Sequence, residues 1–163
     1  GEKAFVSGAD ISQFEKQRGT ADAQAVYNAA VELAYTAPSR CAKPVIAKIR
    51  GICMGGGLGL AAACDLRIAV PTAKFFYPVM KLGFLPQPSD PGRMAALIGP
   101  ARTKLILMGG QKIDAEEALR FGLIDRVTES EGLLDTARGL TVDTIAAPQE
   151  IAAKIKAMCT PPK

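Results

Sequence analysis

The sequence predicts an α/β fold. Short runs rich in β-branched residues, "KPVIAKIRG" (Lys43 to Gly51) and "LRIAVPT" (Leu66 to Thr72), alternate with stretches of helical periodicity. Gly, Pro or charged residues break the chain between them. The chain has 163 residues, 48% of them hydrophobic, enough for one well-filled core and short for two. A single domain over 1–163 is therefore expected.

The elements follow in order. "GEKAFVSGAD" opens without an initiator Met on what reads as the end of a strand, consistent with an interior fragment of a longer protein. Phe14, Val26, Ala30, Val31, Leu33 and Ala34 then recur at helical spacing, and Pro38 is expected to close that helix. The strand over Lys43 to Gly51 leads into glycines and a short helix, and Leu66 to Thr72 forms the next strand. "AKFFYPV" is expected to be a short extended segment and "MKLGFLPQPSDPG" a loop. "RMAALIGPARTKLILMGG" reads as two helical pieces broken at Gly99-Pro100. "DAEEALRFG" is a small helix with Asp114 as N-cap and Gly122 as its left-handed terminus, followed by a strand in "LIDRVTE". Residues 133–158 read as a C-terminal helical region.

Composition narrows the chemistry. There is no histidine, so no Ser-His-Asp or Cys-His arrangement can form, and metal sites lose their commonest ligand. No metal site is expected. The net charge of +4 comes from 20 basic and 16 acidic residues that are interspersed, which argues against nucleic-acid binding. No apolar run approaches the roughly 20 residues of a membrane span, and no signal peptide is read. Four cysteines without a CxxC pair point to a reducing, cytoplasmic location, with Cys53 and Cys64 as small core residues.

The stretch "GICMGGGLGLAAACD" allows three readings. A dinucleotide-binding turn would need a full crossover helix, but about eight residues separate Gly57 from Asp65. That is a helix of only about 12 Å. A plain tight turn without chemistry is the second reading. The third is an anion site, in which glycines at a helix N-terminus leave N–H groups exposed with the helix dipole behind them. "FVSGADISQF" is a second strand-to-helix turn with a glycine, so two turns could each present a backbone N–H.

"FVSGADISQF" and the glycine stretch, followed by "AKFFYPVMKLGFLP" and "GQKIDAEEALRFGLIDRV", resemble the crotonase, or enoyl-CoA hydratase/isomerase, superfamily. The resemblance covers roughly Gly1 to Ala147, with the motifs in order. It implies a crotonase-like spiral of ββα units, assembled as homotrimers or dimers of trimers, that binds acyl-CoA thioesters. Coenzyme A would arrive as part of the substrate, with no separate cofactor. The family polarises the thioester carbonyl with two backbone N–H groups, which map onto Ala9 and Gly56. Such a donor is typically worth about 3 to 4 kcal/mol of barrier. Ser7, Asp10, Ile11, Met54 and Gly55 would line the acyl-CoA channel.

The chain departs from the family's hydratases at the reacting carboxylates. Their two glutamates map onto Gly59 and, after Pro78, Val79. The position of an acid in other members maps onto Gln87. These four residues count as substrate-pocket positions without a base among them. Asp90 is the nearest acid and a candidate base; alternatively Ser89 or Asp90, followed by Pro91, forms a helix N-cap. Asp10 is expected to organise its loop, Asp65 to pair with Arg67 or cap a turn, and Tyr77 and Lys81, which the resemblance puts in the acyl-pocket region, to lie on a helix face or the surface. By the resemblance, the family's usual N-terminal strands and helix and its C-terminal helices are absent from these 163 residues. The resemblance implies an acyl-CoA-processing lyase or isomerase. A catalytically silent acyl-CoA-binding module and an oligomeric structural partner that binds no CoA are the alternatives.

Overall fold

The two β-branched runs become neighbouring parallel strands of one of two sheets, in a computed structural model that describes residues 3–13 and 19–159. β1 (Ala4–Val6) precedes a 3-10 turn at Ile11–Gln13, and the expected helical position Phe14 lies outside the described residues. β2 (Ile46–Ile49) and β4 (Leu66–Ala69) are the two strands read from the sequence. They pair in parallel, with β7 (Arg126–Val127) on the far side of β4. Between them the chain turns at Gly51 into β3 (Ile52–Met54), a separate strand that the sequence reading did not assign. β3 joins the other sheet, ordered β1, β3, β5 (Lys74–Phe76) and β6 (Ile113–Asp114). From β1 to β5 successive strands alternate between the two sheets, whereas β6 pairs antiparallel with β5 in the same one.

Helices close the sheets. α1 (Ala21–Arg40) is capped by Thr20, whose Oγ1 accepts the Ala23 N–H at 3.2 Å. It runs through Pro38, contrary to the expected stop there. In the last turn a proline forfeits one backbone bond, and the helix ends at Arg40, two residues after Pro38, with Cys41 as its C-cap. α2 (Gly56–Ala63) is the short glycine helix and packs against α1. α3 (Val79–Leu82) is a single turn inside the expected loop, closed by Gly83 in the left-handed region.

α4 (Asp90–Leu107) packs on α2 and breaks at Gly99, whose φ of 78° and ψ of 161° separate its two pieces as the sequence suggested. The predicted cap at its start does not form. Ser89 has a helical backbone (φ −84°, ψ −18°), so its hydroxyl is not turned onto the first N–H groups and instead bonds Glu32. α5 (Ala115–Phe121) has the predicted ends: Asp114 Oδ1 accepts the Glu117 N–H at 2.9 Å, and Gly122 is left-handed.

The C-terminal region forms α6 (Leu133–Leu140), α7 (Val142–Ala146) and α8 (Gln149–Cys159). Lys156 ties α8 to the body, donating to the Pro38 and Lys43 carbonyls and to Asp65 Oδ2 at 2.7 Å. Asp65 also accepts the Val45 N–H at 2.7 Å. The expected Asp65–Arg67 side-chain pair is therefore replaced. Arg67, buried beside β4, meets Asp125 at 3.4 Å and fills its remaining donors with the carbonyls of Leu123 and Cys64. A buried guanidinium needs that many acceptors to offset its lost hydration.

Ile49, Cys53, Leu58, Ile68, Phe75, Met94 and Ile106 are at most 1% exposed and make the centre of the core. Burial pushes the Cys53 thiol up to about 12, so it is an inert packing residue. Among the described residues no helix is long and apolar enough to cross a membrane.

Candidate active site

Two glycine turns meet at one cleft. Gly8, after β1, has φ 90°, and Gly55, between β3 and α2, has φ 58° and ψ −123°. Side chains rarely tolerate either conformation. The two residues also lie close together: a Cβ on Gly55 would stand 3.7 Å from Gly8 Cα, and one on Gly8 3.6 Å from the Met54 carbonyl oxygen. Each glycine sets the plane of the peptide that follows, and those peptides carry the N–H groups of Ala9 and Gly56. As the first residue of α2, Gly56 has no intrahelical acceptor for its N–H. The Gly55 N–H is itself held by the Phe76 carbonyl at 3.0 Å, which locks the turn to β5.

Ser7 and Ala9 from the first turn and Met54, Gly55 and Gly56 from the second all line this cleft. Pro78 and Val79 reach it from the start of α3, and Gln87 from the loop before α4. Gln87 is 7% exposed, and its Oε1 has no hydrogen-bond partner among the described residues. Other predicted residues lie elsewhere. Asp10 Oδ1 accepts from both the Ser12 N–H and its hydroxyl, an arrangement that organises the loop and lowers the Asp10 carboxyl. Ile11 begins the 3-10 turn, and its side chain lies outside the described residues. Gly59 and Asp90 do not line the cleft; they lie behind it, where a Cβ at 59 would overlap the Asp90 carboxylate.

Sequence reading missed two tyrosines and misjudged the exposure of a third. Tyr27 and Tyr35 reach the cleft from α1, and a Cβ at Gly56 would overlap the Tyr35 hydroxyl. Their spacing of two helical turns was a usable signal. Tyr77 is only 6% exposed rather than a surface residue; it lines the cleft and donates its hydroxyl to Asp90 Oδ2 at 2.9 Å. Leu82, Phe84 and Leu85 extend the cleft as an apolar rim, and Leu85 is 88% exposed. Among the described residues that line the cleft, none is Asp or Glu.

Asp90 is fully buried, and that burial lifts its carboxyl from 3.8 to about 6. The Tyr77 hydrogen bond and the Arg93 charge oppose the rise, and Glu32 adds to it. The folded chain therefore keeps a proton on Asp90 that the unfolded chain releases. Stability is greatest below the unfolded value and falls as pH rises through about 4 to 6, by roughly 3 kcal/mol from this group. Asp90→Asn should flatten that decline, as read by urea denaturation from pH 4 to 7; an unchanged slope would mean that another group causes it.

Residues 1–161 match the family model for enoyl-CoA hydratase/isomerase. The chain is 37% identical over 138 residues to a short-chain-enoyl-CoA hydratase of Clostridium acetobutylicum, covering 85% of this chain and 52% of that protein. It is 42% identical over 112 residues to a carnitinyl-CoA dehydratase of Citrobacter koseri, covering 68% and 43%. Among solved structures, an enoyl-CoA hydratase/carnithine racemase from Magnetospirillum magneticum superposes with a TM-score of 0.90 at 32% identity, over 97% of this chain and 59% of that one. An enoyl-CoA hydratase from Bacillus anthracis gives 0.87 at 29%, over 96% and 60%. The chain spans about half the length of the curated relatives it matches.

Proposed function

Because the chain belongs to the enoyl-CoA hydratase/isomerase family, we propose that its cleft binds an acyl-CoA thioester and stabilises an enolate of it, in a lyase or isomerase reaction. The thioester oxygen would sit between the N–H groups of Ala9 and Gly56, with the N-terminus of α2 behind it. Charge moves onto that oxygen as the α-carbon loses a proton, and donors fixed in advance need no reorganisation when it does. The observation that carries this reading is the contact between two positive-φ glycines, each preceding one of the two N–H groups. The apolar rim of Leu82, Phe84 and Leu85 suits an acyl chain.

The lack of a carboxylate on the cleft wall among the described residues favours a second reading, an acyl-CoA-binding module without turnover. One experiment separates the two. The full-length protein is incubated with saturated, α,β-unsaturated and β,γ-unsaturated acyl-CoAs, and the products are followed by mass spectrometry and chromatography. A gain of one water marks a hydratase, and an isomer of unchanged mass marks an isomerase. Binding with no conversion of any thioester would overturn the enzymatic reading in favour of the silent one.

A further inference from the structure

Behind the proposed carbonyl site lies a polar cluster that it does not use. Asp90 Oδ2 accepts the Tyr77 hydroxyl at 2.9 Å; Oδ1 has no hydrogen-bond partner among the described residues, and Arg93 Nη1 lies 3.6 Å from it. The carboxylate occupies the space that a side chain on α2 at position 59 would take. An acid from the start of α4 thus stands where α2 has none. Asp90 is sealed from the cleft, whereas Tyr77 is part of the cleft wall. A phenol oxygen has one proton and two lone pairs. The Tyr77 proton goes to Asp90, and one lone pair receives the Gln87 N–H at 3.4 Å, which leaves one lone pair for a group in the cleft.

Resting on the acyl-CoA reading above, we propose that Tyr77 is the catalytic residue that exchanges a proton with the substrate α-carbon, and that Asp90 is the positioning residue that takes up the Tyr77 proton. In the forward step the α C–H bond breaks and its electron pair forms the enolate, whose charge rests on the thioester oxygen. The proton bonds to Tyr77 Oη while the original Tyr77 proton passes to Asp90 Oδ2. Asp90 becomes neutral and Tyr77 is neutral throughout. The reverse transfer returns a proton to carbon.

Two properties fit these roles. Burial, with Asp90 beside it, raises the Tyr77 hydroxyl well above its ordinary value, so it passes a proton on and does not persist as phenolate. Asp90, lifted to about 6, is a base suited to near-neutral pH. The charged and titratable groups that act on it are Tyr77 from the segment after β5, Arg93 on its own helix and Glu32 from α1. From α2 it meets Gly59, which has no side chain.

The test measures α-proton exchange of butyryl-CoA in D2O by NMR, with binding by calorimetry, on the full-length protein and its Tyr77→Phe and Asp90→Asn variants. The wild-type rate should rise through a midpoint near pH 6 and then level off. Each variant should lose at least about 10²-fold in rate. The dissociation constant should stay within about threefold, and the double variant should be no slower than the slower single, as for residues acting as a unit. Asp90→Asn should also remove the pH-dependent limb. Wild-type exchange in Tyr77→Phe would overturn the relay, as would an Asp90→Asn variant that keeps the rate and the midpoint. Should Asp90→Asn fail to fold, Tyr77→Phe and the wild-type pH profile decide. Binding of butyryl-CoA without any wild-type exchange overturns the relay alone, and absence of binding overturns the acyl-CoA reading with it.

Discussion

Gly59→Ala is expected to destabilise the protein by about 3 kcal/mol, opposite in sign to the gain of about 1 kcal/mol that Gly→Ala ordinarily brings inside a helix. The new methyl would overlap the Asp90 carboxylate, and neither side can give way freely. Asp90 is fixed by Tyr77 and by its place at the head of α4, while α2 is packed between α1 and α4. Moving the carboxylate breaks a buried hydrogen bond and displaces an acid with no access to water. The cost should be coupled to Asp90: in Gly59→Ala/Asp90→Ala the space is free, and the double variant should be more stable than the sum of the singles by about 2 kcal/mol. Urea denaturation of the four proteins at one pH measures this cycle. Additive effects, or a harmless Gly59→Ala, would show that the overlap does not govern this site.

Gly55→Ala should lower kcat/KM toward the best acyl-CoA substrate by about 10²-fold or more, beyond any loss of folded protein. Alanine disfavours φ 58° with ψ −123°, a strain of about 1 to 3 kcal/mol. The backbone would relax by rotating the peptide between 55 and 56, and that peptide carries the Gly56 N–H. A donor turned away from the developing charge loses most of its effect on the barrier while ground-state binding along the apolar rim is retained. The expected pattern is a fall in kcat with a smaller change in KM. Unchanged kcat in a folded variant would remove Gly56 from the proposed carbonyl site.

Several local features were legible in the residues themselves. The Asp114 cap and the left-handed Gly122 bracket a helix whose ends are local choices, and the Gly99-Pro100 break is another. β3 was less legible, because its three residues are too few to show alternation and owe their strand state to pairing with β1 and β5. The failed cap at Ser89 has a similar cause. A hydroxyl near a helix start caps only if the backbone turns it inward, and here the nearby Glu32 of α1 holds it instead. Likewise Asp65 and Arg67, close in sequence, take partners 91 and 58 residues away, since each is satisfied by the element packed over it.

The sequence by itself determined the class of fold, its punctuation and the two glycine turns. Positive φ is a property of one residue's own sterics, and glycine records it directly. Tertiary structure decided what those turns face. The absence of a carboxylate at Gly59 reads in sequence as a plain loss of chemistry. In three dimensions the Asp90 carboxylate fills that place and is joined to the cleft by Tyr77, 13 residues earlier. No local pattern encodes this, because the meeting of α2, α4 and the segment after β5 depends on how three elements pack. That packing also buries Asp90 and raises its carboxyl toward neutrality, a property that the residue lacks in the unfolded chain.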